Sequence, residues 1–412
     1  MEITSCTCGS KHYCDIDAVY TGYGVLSSLS VLTENKKGVL LVADENTYNA
    51  FSDAGGCITH SNVSRCIFPG APLLVPDEKA LSTIENAIES NTDTVIGIGG
   101  GTVNDLCKEI AYRKGLCYIY VATAPSMDGY ASDGAALILD GMKVTLKTAP
   151  PKVIICDTDI LKNAPMELIR AGVGDILGKY SCLNDWLLAS CVKGEYFCQH
   201  IYTEVMEATD KVAENLDKIL ARDGEAIELL TNALIKVGIN MSYAGSSRPA
   251  SGSEHHLAHF FEIYSLEQGR PHRPHGVDVG EASYYTALLR DVILQTKSPF
   301  DFSFDKVSHF AAVSALFPRA VCGIIDLQSK TALHGNAEGN YDLDCIKAVL
   351  KKAPRADAVR TMLEKAGLSA EEMIKFYGSI TVNNALKYGK ELKDRFTVLW
   401  LYEYLGWEML EI

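Results

Sequence analysis

The fold is indicated most clearly by residues 93–125, DTVIGIGGGTVNDLCKEIAYRKGLCYIYVATAP. Its first apolar run predicts a buried strand, and the three consecutive glycines that close the run predict a tight turn. The periodic stretch that follows predicts a helix, and a second apolar run predicts another strand. A strand–turn–helix–strand unit of this length is typical of a parallel sheet covered by helices.

The flanking sequence repeats this alternation as far as residue 160. GVLLVADENT (38–47) and KVIICDTDIL (152–161) are further predicted strands, whereas the periodicity beyond them is almost wholly helical. We therefore predict an α/β, Rossmann-like parallel-sheet domain over residues 1–160 that binds a dinucleotide. An all-helical domain that binds metal and substrate follows over residues 161–412. The active site is expected in the cleft between them, at the carboxyl ends of the strands.

The composition narrows the class of partner. The 412 residues carry a net charge of −14, which disfavours nucleic acid. No apolar run reaches transmembrane length, and the start of the chain does not read as a signal peptide, so a cytoplasmic protein is expected. The thirteen cysteines lie mostly singly in apolar segments, as reduced, buried thiols do.

One group of cysteines stands apart from the rest. Cys6, Cys8, His12 and Cys14 fall within nine residues, which suggests either a small structural metal site or a terminal segment without metal. Only one residue separates Cys6 from Cys8, instead of the usual two, and this spacing favours the second interpretation.

The glycine turn suggests a phosphate site. Gly99, Gly100 and Gly101 allow close backbone approach, and the following helix offers free N–H groups. Thr102 stands where the dinucleotide fingerprint has its third glycine, and no Gly-Lys-Ser/Thr follows as in a P-loop, so a tight connection alone remains the alternative. Asp44, at the end of an earlier strand, is placed to bond ribose hydroxyls and would favour NAD over NADP.

Two further segments carry polar groups suited to chemistry. The loop TAPSMDGYASDGA (123–135) follows a strand and holds small donors and acids. The stretch 251–276 holds five of the ten histidines; His255 and His259 are four apart and share a helix face. Asp175, after a Gly-Val-Gly, is either a helix cap or a third ligand that completes a set with His255 and His275.

These motifs together resemble one family. Seven segments follow one another along nearly the whole chain: CTCG, GGGTVND, TAPSMDGYASDGA, GVGDILGKYSCLNDW, SSRPASGSEHHLAHFFE, PHGVDVG and KDRFTVLWL. In this order they resemble the sn-glycerol-1-phosphate dehydrogenases, particularly the bacterial type. That family belongs to the superfamily of iron-containing alcohol dehydrogenases and dehydroquinate synthases.

The resemblance implies roles for individual residues. Asp175, His255 and His275 would bind the metal. His259 and Asp128 would be catalytic residues that contact substrate, with Asp175 also close to it. The implied cofactor-binding residues are Asp44, Gly99, Gly100, Gly101, Thr102, Val103, Asn104, Asp105, Thr123, Ala124, Pro125, Ser126 and Ser132. His256 and His272 match no ligand of the family, and both are taken as bystanders. His256 is the one ambiguity, because related glycerol dehydrogenases have histidines three apart, as His256 and His259 are.

The implied reaction is metal-dependent, NAD(P)-linked interconversion of dihydroxyacetone phosphate and sn-glycerol 1-phosphate. NAD(H) is preferred over NADP(H), zinc or nickel over iron, and a homodimer is expected. Glycerol dehydrogenase, or another small polyol or ketone dehydrogenase, is the nearest alternative. A dehydroquinate synthase-type lyase would have a glutamate in place of Asp175, and a non-catalytic sugar-phosphate sensor would not need all three metal ligands.

The segment GSSRPASGSE (245–254) supplies a hypothesis for recognition of the phosphate. It offers hydroxyls, backbone N–H groups and the guanidinium of Arg248 directly before the helix that begins near His255. An arginine can clamp phosphate oxygens through two donors, so Arg248 is predicted to bind the substrate phosphate. The alternative is an exposed loop whose arginine offsets the acidic surface.

Overall fold

The computed structural model describes residues 1–139, 142–297, 299–331, 333–334 and 338–406. The chain forms two compact units. The first unit comprises Met1–Gly172 and Glu214–Gly245, and the second comprises Val173–Ala213 and Ser246–Ile412. The first unit therefore takes in a later helical segment in addition to the region predicted as the α/β domain, and the domain limits at residues 160 and 161 stay a prediction.

A six-stranded sheet forms the centre of the first unit. The strands in chain order are β1 (Glu2–Ile3), β2 (His12–Tyr13), β3 (Ala18–Gly22), β4 (Val39–Asp44), β5 (Val63–Phe68), β6 (Thr94–Gly99), β7 (Cys117–Ala122), β8 (Gly134–Leu139), β9 (Met142–Lys147) and β10 (Val153–Asp157). The sheet has the order β3-β10-β7-β6-β4-β5, and its neighbouring strands are all parallel. β1 with β2 and β8 with β9 form antiparallel pairs outside it.

Apolar, mostly β-branched residues build the sheet because both of its faces are covered. Val39, Ile96, Ile98 and Ile119 belong to one buried cluster under the helices. Gly99 pairs with Ala122 across β6 and β7. The glycine turn after β6 and the loop after β7 therefore leave the sheet at the same edge.

Nineteen α-helices are assigned within the described residues. They are α1 (Ser28–Thr33), α2 (Glu45–Asp53), α3 (Glu78–Asn86), α4 (Gly101–Lys114), α5 (Thr158–Leu161), α6 (Met166–Leu177), α7 (Lys179–Lys193), α8 (Gln199–Glu214), α9 (Leu216–Leu220), α10 (Gly224–Ala244), α11 (Ser253–Glu267), α12 (His275–Gln295), α13 (Lys306–Leu316), α14 (Val321–Ser329), α15 (Leu343–Leu350), α16 (Ala356–Lys365), α17 (Ala370–Tyr377), α18 (Ser379–Tyr388) and α19 (Val398–Glu403). Short 3₁₀ turns span Val25–Ser27, Asp128–Ala131 and Gly389–Leu392.

The second unit is helical throughout its described part. α11 and α12 pack against each other at its centre, and α7, α16 and α18 surround them. The fold predicted from the sequence, a parallel-sheet region followed by a helical region, is thus confirmed. Across the described ranges, no helix combines the length and the apolar character needed to cross a bilayer.

Candidate active site

The second unit gathers three histidines of the histidine-rich stretch. His255 and His259 lie one turn apart on α11, and His275 is the first residue of α12, directly after the cap residue Pro274. The ring centroid of His255 lies 5.1 Å from that of His275 and 6.1 Å from that of His259. His259 and His275 are 5.4 Å apart, so the three rings surround one small volume.

Asp175 enters the same volume from α6. Its Oδ1 lies 3.6 Å from Nε2 of His255 and accepts a hydrogen bond of 2.7 Å from Nζ of Lys179. Lys179 also donates to the carbonyl of Ala250 at 2.9 Å. Asp175 and Lys179 are both fully buried, so the carboxylate faces the histidines with its charge balanced inside the unit.

Two buried glutamates orient the histidines. Nδ1 of His255 lies 2.7 Å from Oε1 of Glu254, and Nδ1 of His275 donates to Oε1 of Glu262 at 3.0 Å. A proton on Nδ1 leaves the lone pair on Nε2, which is the usual arrangement of a metal-bound histidine. Neither glutamate was predicted from the sequence, although Glu254 directly precedes His255 and Glu262 follows His259 by three residues on α11.

Protonation in this cluster favours metal binding. Burial lowers the pKa of His255 well below its usual range, and Lys179 and His275 lower it further. Burial alone would raise the pKa of Asp175, but Lys179, His255 and His275 outweigh burial and lower it. The side chains are therefore a neutral imidazole and a carboxylate, which are the forms that bind a cation.

The structure offers a second grouping beside the predicted one. His259, Glu262 and His275 each present a ligand atom, and the three atoms lie within 4.8 Å of one another. His275 belongs to both groupings. They differ in the role of Glu262, which is a ligand in one and orients His275 in the other.

A close helix crossing holds Asp175 and His275 together. A Cβ on Gly174 would overlap the carbonyl oxygen of Gly276, the residue after His275. A Cβ on Gly280 would lie 2.7 Å from the Cα of Gly174. The absence of side chains at these positions lets α6 and α12 touch through their backbones.

This donor set fits a divalent metal ion. Two imidazoles and one carboxylate are a common three-ligand set in catalytic sites, where one position stays open for substrate. Each predicted ligand histidine also has a carboxylate on its other nitrogen. Nitrogen and oxygen donors of this kind accept zinc, nickel or iron.

The candidate cofactor edge lies in the first unit. α4 begins at Gly101, and no described side chain caps its start. A Cβ on Gly100 would meet no atom within 4 Å, so this turn faces open space. Free N–H groups and the positive end of the helix dipole suit a pyrophosphate, and the turn therefore fits a dinucleotide.

The 123–126 loop lies beside this turn. The N–H of Thr123 donates to the carbonyl of Gly99 at 3.1 Å. The hydroxyl of Tyr130 donates to the carbonyl of Ala124 at 2.6 Å and accepts from the backbone N–H of Ser126. These bonds fix the backbone of the loop next to the glycine turn.

Asp128 is held by the packing of the first unit. It opens the 3₁₀ turn at Asp128–Ala131 and is 8% exposed. Nζ of Lys108 donates to the carbonyls of Gly129, at 3.1 Å, and Gly134. A Cβ on Gly238 of α10 would lie 2.7 Å from the carbonyl oxygen of Asp128. Helices α4 and α10 thus determine where Asp128 lies.

Several predicted cofactor residues have partners inside the unit. Asn104 is fully buried and accepts from the hydroxyl of Tyr118, and Asp105 pairs with Lys108 at 2.9 Å. The hydroxyl of Ser132 donates to the carbonyl of Gly129 at 3.0 Å. The side chains of Asn104 and Asp105 hold the unit together, whereas Gly100 forms the turn between the end of β6 and the start of α4.

Asp44 has a structural partner as well. It caps α2 by accepting from the N–H of Thr47 at 3.0 Å, and Thr47 Oγ1 donates to the carbonyl of Ile98 on β6. This bond joins the start of α2 to the end of the strand that precedes the glycine turn. Asp44 is thus at the same edge of the sheet as Gly99, and its Oδ1 accepts the capping hydrogen bond.

Arg248 is buried within the second unit. It is 7% exposed, donates to the carbonyl of Phe396 at 2.9 Å and pairs with Glu195. A carboxylate and a carbonyl thus engage the guanidinium within the second unit. These contacts correct the expectation of an exposed loop, and they favour a structural role over binding of the substrate phosphate.

The two histidines taken as bystanders have different environments. His256 is fully buried, and burial with nearby Arg395 and Lys393 lowers its pKa well below the usual range. His272 is exposed and its Nδ1 lies 3.0 Å from the carbonyl of Arg273. Neither residue belongs to the two groupings around His275.

Comparisons with known proteins agree on the family. The sequence model of the iron-containing alcohol dehydrogenase family matches residues 21–165. A relative from Halalkalibacterium halodurans, named glycerol-1-phosphate dehydrogenase (NAD(P)+), is 35% identical over 295 residues, which cover 69% of this chain and 74% of that protein. A relative of the same name from Geobacillus thermodenitrificans is 27% identical over 415 residues, covering 95% and 94% of the two chains.

Solved structures show the same fold. An archaeal halo-thermophilic alcohol dehydrogenase from a Red Sea brine pool aligns with a TM-score of 0.61 at 16% identity, covering 96% of this chain and 93% of its own. A probable glycerol dehydrogenase from Sinorhizobium meliloti aligns with a TM-score of 0.55 at 18% identity, covering 85% and 97%. With the relatives above, these likenesses lead to one conclusion: the chain belongs to the glycerol-1-phosphate dehydrogenase family of NAD(P)-linked oxidoreductases.

Proposed function

We propose that this chain interconverts dihydroxyacetone phosphate and sn-glycerol 1-phosphate with a nicotinamide cofactor and a divalent metal ion. The substrate and the cofactor in this proposal are taken from the names of the relatives described above. The observation that carries the chemistry is the group of Asp175, His255 and His275, in which each histidine has a buried glutamate on Nδ1. A metal bound there would act as a Lewis acid on the substrate oxygen.

The residues around that position have distinct tasks. Glu254 and Glu262 hold the imidazoles of His255 and His275 in the tautomer that presents Nε2. Burial raises the pKa of Glu254 and lowers that of His255, so burial disfavours an imidazolium–carboxylate ion pair at this contact. Lys179 keeps Asp175 ionised.

His259 is the proposed proton carrier. Its ring lies 6.1 Å from His255 and 5.4 Å from His275, and it is less buried than His255. An imidazole at this distance can accept or supply the proton of the substrate hydroxyl and exchange it with water. Asp128 is proposed as a second substrate contact.

The first unit would hold the dinucleotide, which gives or takes the hydride. The N-terminus of α4 would bind the pyrophosphate, with the Thr123–Ser126 loop and Ser132 beside it. Asp44 would bond the ribose hydroxyls through the carboxylate oxygen that does not cap α2, and would favour NAD(H) by repelling the extra phosphate of NADP(H).

Further details of the proposal rest on the sequence. The metal is proposed to be zinc or nickel ahead of iron, although two imidazoles and one carboxylate accept all three ions. The enzyme acts in the cytoplasm as a homodimer on a phosphorylated triose or glycerol substrate.

Glycerol dehydrogenase remains the second candidate for one specific reason. Arg248, which was expected to bind the substrate phosphate, is engaged by Glu195 and Phe396. With this arginine committed, recognition of the phosphate would need another cation or a set of backbone N–H groups. An enzyme without such a phosphate site would act on glycerol and dihydroxyacetone instead.

Oxidation by the metal-loaded protein tests the proposal. With NAD+ as the oxidant, the rates for three alcohols are compared: sn-glycerol 1-phosphate, its mirror image sn-glycerol 3-phosphate, and glycerol. The proposal expects rapid NADH formation with the first alone. Equal or faster oxidation of glycerol would favour the second candidate, and preference for sn-glycerol 3-phosphate would contradict the assigned product.

A further inference from the structure

The amino-terminal hairpin contains a cluster of two cysteines and a histidine that has no part in the proposed reaction. β1 and β2 pair with Ile3 opposite His12, and Cys6 and Cys8 lie in the connection between the strands. Gly9 has a φ of 79°, in the left-handed region that favours glycine, and its N–H donates to the carbonyl of Cys6 at 3.2 Å. The chain therefore turns tightly around the two thiols.

His12 points its ring at these thiols. It is fully buried, and Nδ1 donates to the carbonyl of Tyr243 at 2.8 Å. Because a carbonyl only accepts, the proton is on Nδ1 and the lone pair is on Nε2. Nε2 lies 3.3 Å from Sγ of Cys8, and the ligand atoms of Cys6, Cys8 and His12 lie within 4.8 Å of one another.

The backbone around Cys8 is suited to a thiolate. The N–H of Ser10 donates to Sγ of Cys8 at 3.4 Å. A donor aimed at sulfur stabilises the anionic form, which is the form that binds metal. Tetrahedral zinc with ordinary bond lengths separates a sulfur ligand from a nitrogen ligand by about 3.6 Å, close to the spacing found here.

We propose that Cys6, Cys8 and His12 bind a structural zinc ion. The sequence suggested Cys14 as a further member, but Cys14 lies directly after β2 and is not part of the converging group. The tight Cys-x-Cys spacing is accommodated by the turn at Gly9. The bond from Nδ1 of His12 to a backbone carbonyl is the orienting contact that zinc-bound histidines usually have.

The ion would fasten the hairpin to the rest of the first unit. Tyr243, which holds His12, lies in the last turn of α10, and the same helix contacts the backbone of Asp128 at Gly238. The site would thus secure the end of a helix that supports a predicted substrate contact. The proposal does not rest on the proposed reaction.

Cobalt substitution of the full-length protein tests this site. Co²⁺ bound by thiolates shows an intense sulfur-to-cobalt charge-transfer band in the near ultraviolet, and Co²⁺ bound only by imidazole and carboxylate does not. Metal-free protein titrated with Co²⁺ is expected to develop this band. The double variant Cys6→Ser/Cys8→Ser is expected to lose it and to contain one zinc ion fewer per chain than the unaltered protein after loading.

Two controls separate this site from the other metal site and from misfolding. The double variant His255→Ala/His275→Ala, which removes the proposed catalytic ligands, should keep the charge-transfer band. Cys57→Ser, which removes an exposed cysteine elsewhere in the first unit, should also keep it. Circular dichroism checks the fold of each variant, and His12→Gln, which keeps both thiols, should weaken Co²⁺ binding at least tenfold. Absence of the band in the unaltered protein, or its persistence in Cys6→Ser/Cys8→Ser, would overturn the proposal.

Discussion

The backbone of Gly174 touches the backbone of Gly276, with no room for a Cβ between them. Gly174 precedes Asp175 and Gly276 follows His275, so the contact lies next to two of the three proposed metal ligands. A side chain at Gly174 would have to push α6 away from α12. The spacing of the ligands therefore depends on a helix contact that neither ligand makes.

Gly174→Ala should disturb the metal site before it unfolds the protein. We expect a destabilisation of about 1–3 kcal/mol from overpacking, and a loss of metal affinity of about 10–100-fold because two ligands separate. Metal affinity by competition with a chelator and thermal unfolding are the measurements. Gly323→Ala is the control, since a Cβ on Gly323 of α14 meets no atom within 4 Å and alanine favours helix. Unchanged affinity in Gly174→Ala would show that the crossing does not set the ligand spacing.

The choice between neighbouring histidines is tested by a matched pair of variants. His255→Ala should lose the metal and the activity, because His255 faces Asp175. His256→Leu replaces a buried imidazole by an apolar side chain of similar volume and should retain metal. Metal content per chain decides the matter. Retention in His255→Ala together with loss in His256→Leu would assign the ligand to His256.

The role of Glu262 follows from a similar comparison. If it orients His275, then Glu262→Gln keeps a hydrogen-bond acceptor and lowers metal affinity by about 10–100-fold, as Glu254→Gln does for His255. If Glu262 is itself a ligand with His259 and His275, its glutamine variant should lose the metal entirely, whereas Glu254→Gln should bind normally. Parallel titrations of the two variants distinguish these outcomes.

Arg248 is expected to contribute to stability rather than to substrate choice. Arg248→Ala leaves Glu195 and the carbonyl of Phe396 without their donor, which should cost about 2 kcal/mol of unfolding free energy. The ratio of kcat/KM for dihydroxyacetone phosphate to that for dihydroxyacetone should change less than threefold. Glu195→Gln, which removes only the charge partner, should show a smaller loss of the same kind. A tenfold fall of the ratio without loss of stability would show instead that Arg248 binds the substrate phosphate.

Asp44 allows charge and helix capping to be separated. Asp44→Ser keeps an N-cap oxygen for Thr47 while removing the charge, and Thr47→Val breaks the other half of the capping box without a change of charge. Asp44→Ser should raise kcat/KM with NADPH by about tenfold, because repulsion of the extra phosphate is lost. If both variants change NADPH use equally, the cap and not the charge sets the cofactor preference.

The parts of the fold visible in the sequence are those with local signatures. The runs of Val and Ile that became β4, β6, β7 and β10 are buried on both faces, so their composition predicts them directly. His255 and His259 were found by their spacing on one helix, α11. The glycine turn was found because consecutive glycines between a predicted strand and a predicted helix indicate a tight connection.

The parts that the sequence did not reveal depend on contacts between distant segments. Glu254 and Glu262 look like ordinary helix-surface charges until α12 brings His275 beside Glu262. The pairing of Arg248 with Glu195 was not predicted, because the two residues are 53 positions apart in the chain. Contact between Gly174 and Gly276 has no local pattern at all.

The most direct test of the account is metal-dependent reduction of dihydroxyacetone phosphate. Protein stripped of metal, then reloaded with Zn²⁺ or Ni²⁺, is assayed for NADH oxidation beside Asp175→Ala treated in the same way. We expect no activity in the stripped protein, recovery on reloading, a kcat/KM for dihydroxyacetone phosphate well above that for dihydroxyacetone, and no recovery in Asp175→Ala. Full activity in the stripped protein, or equal use of the two ketones by the reloaded protein, would contradict the account.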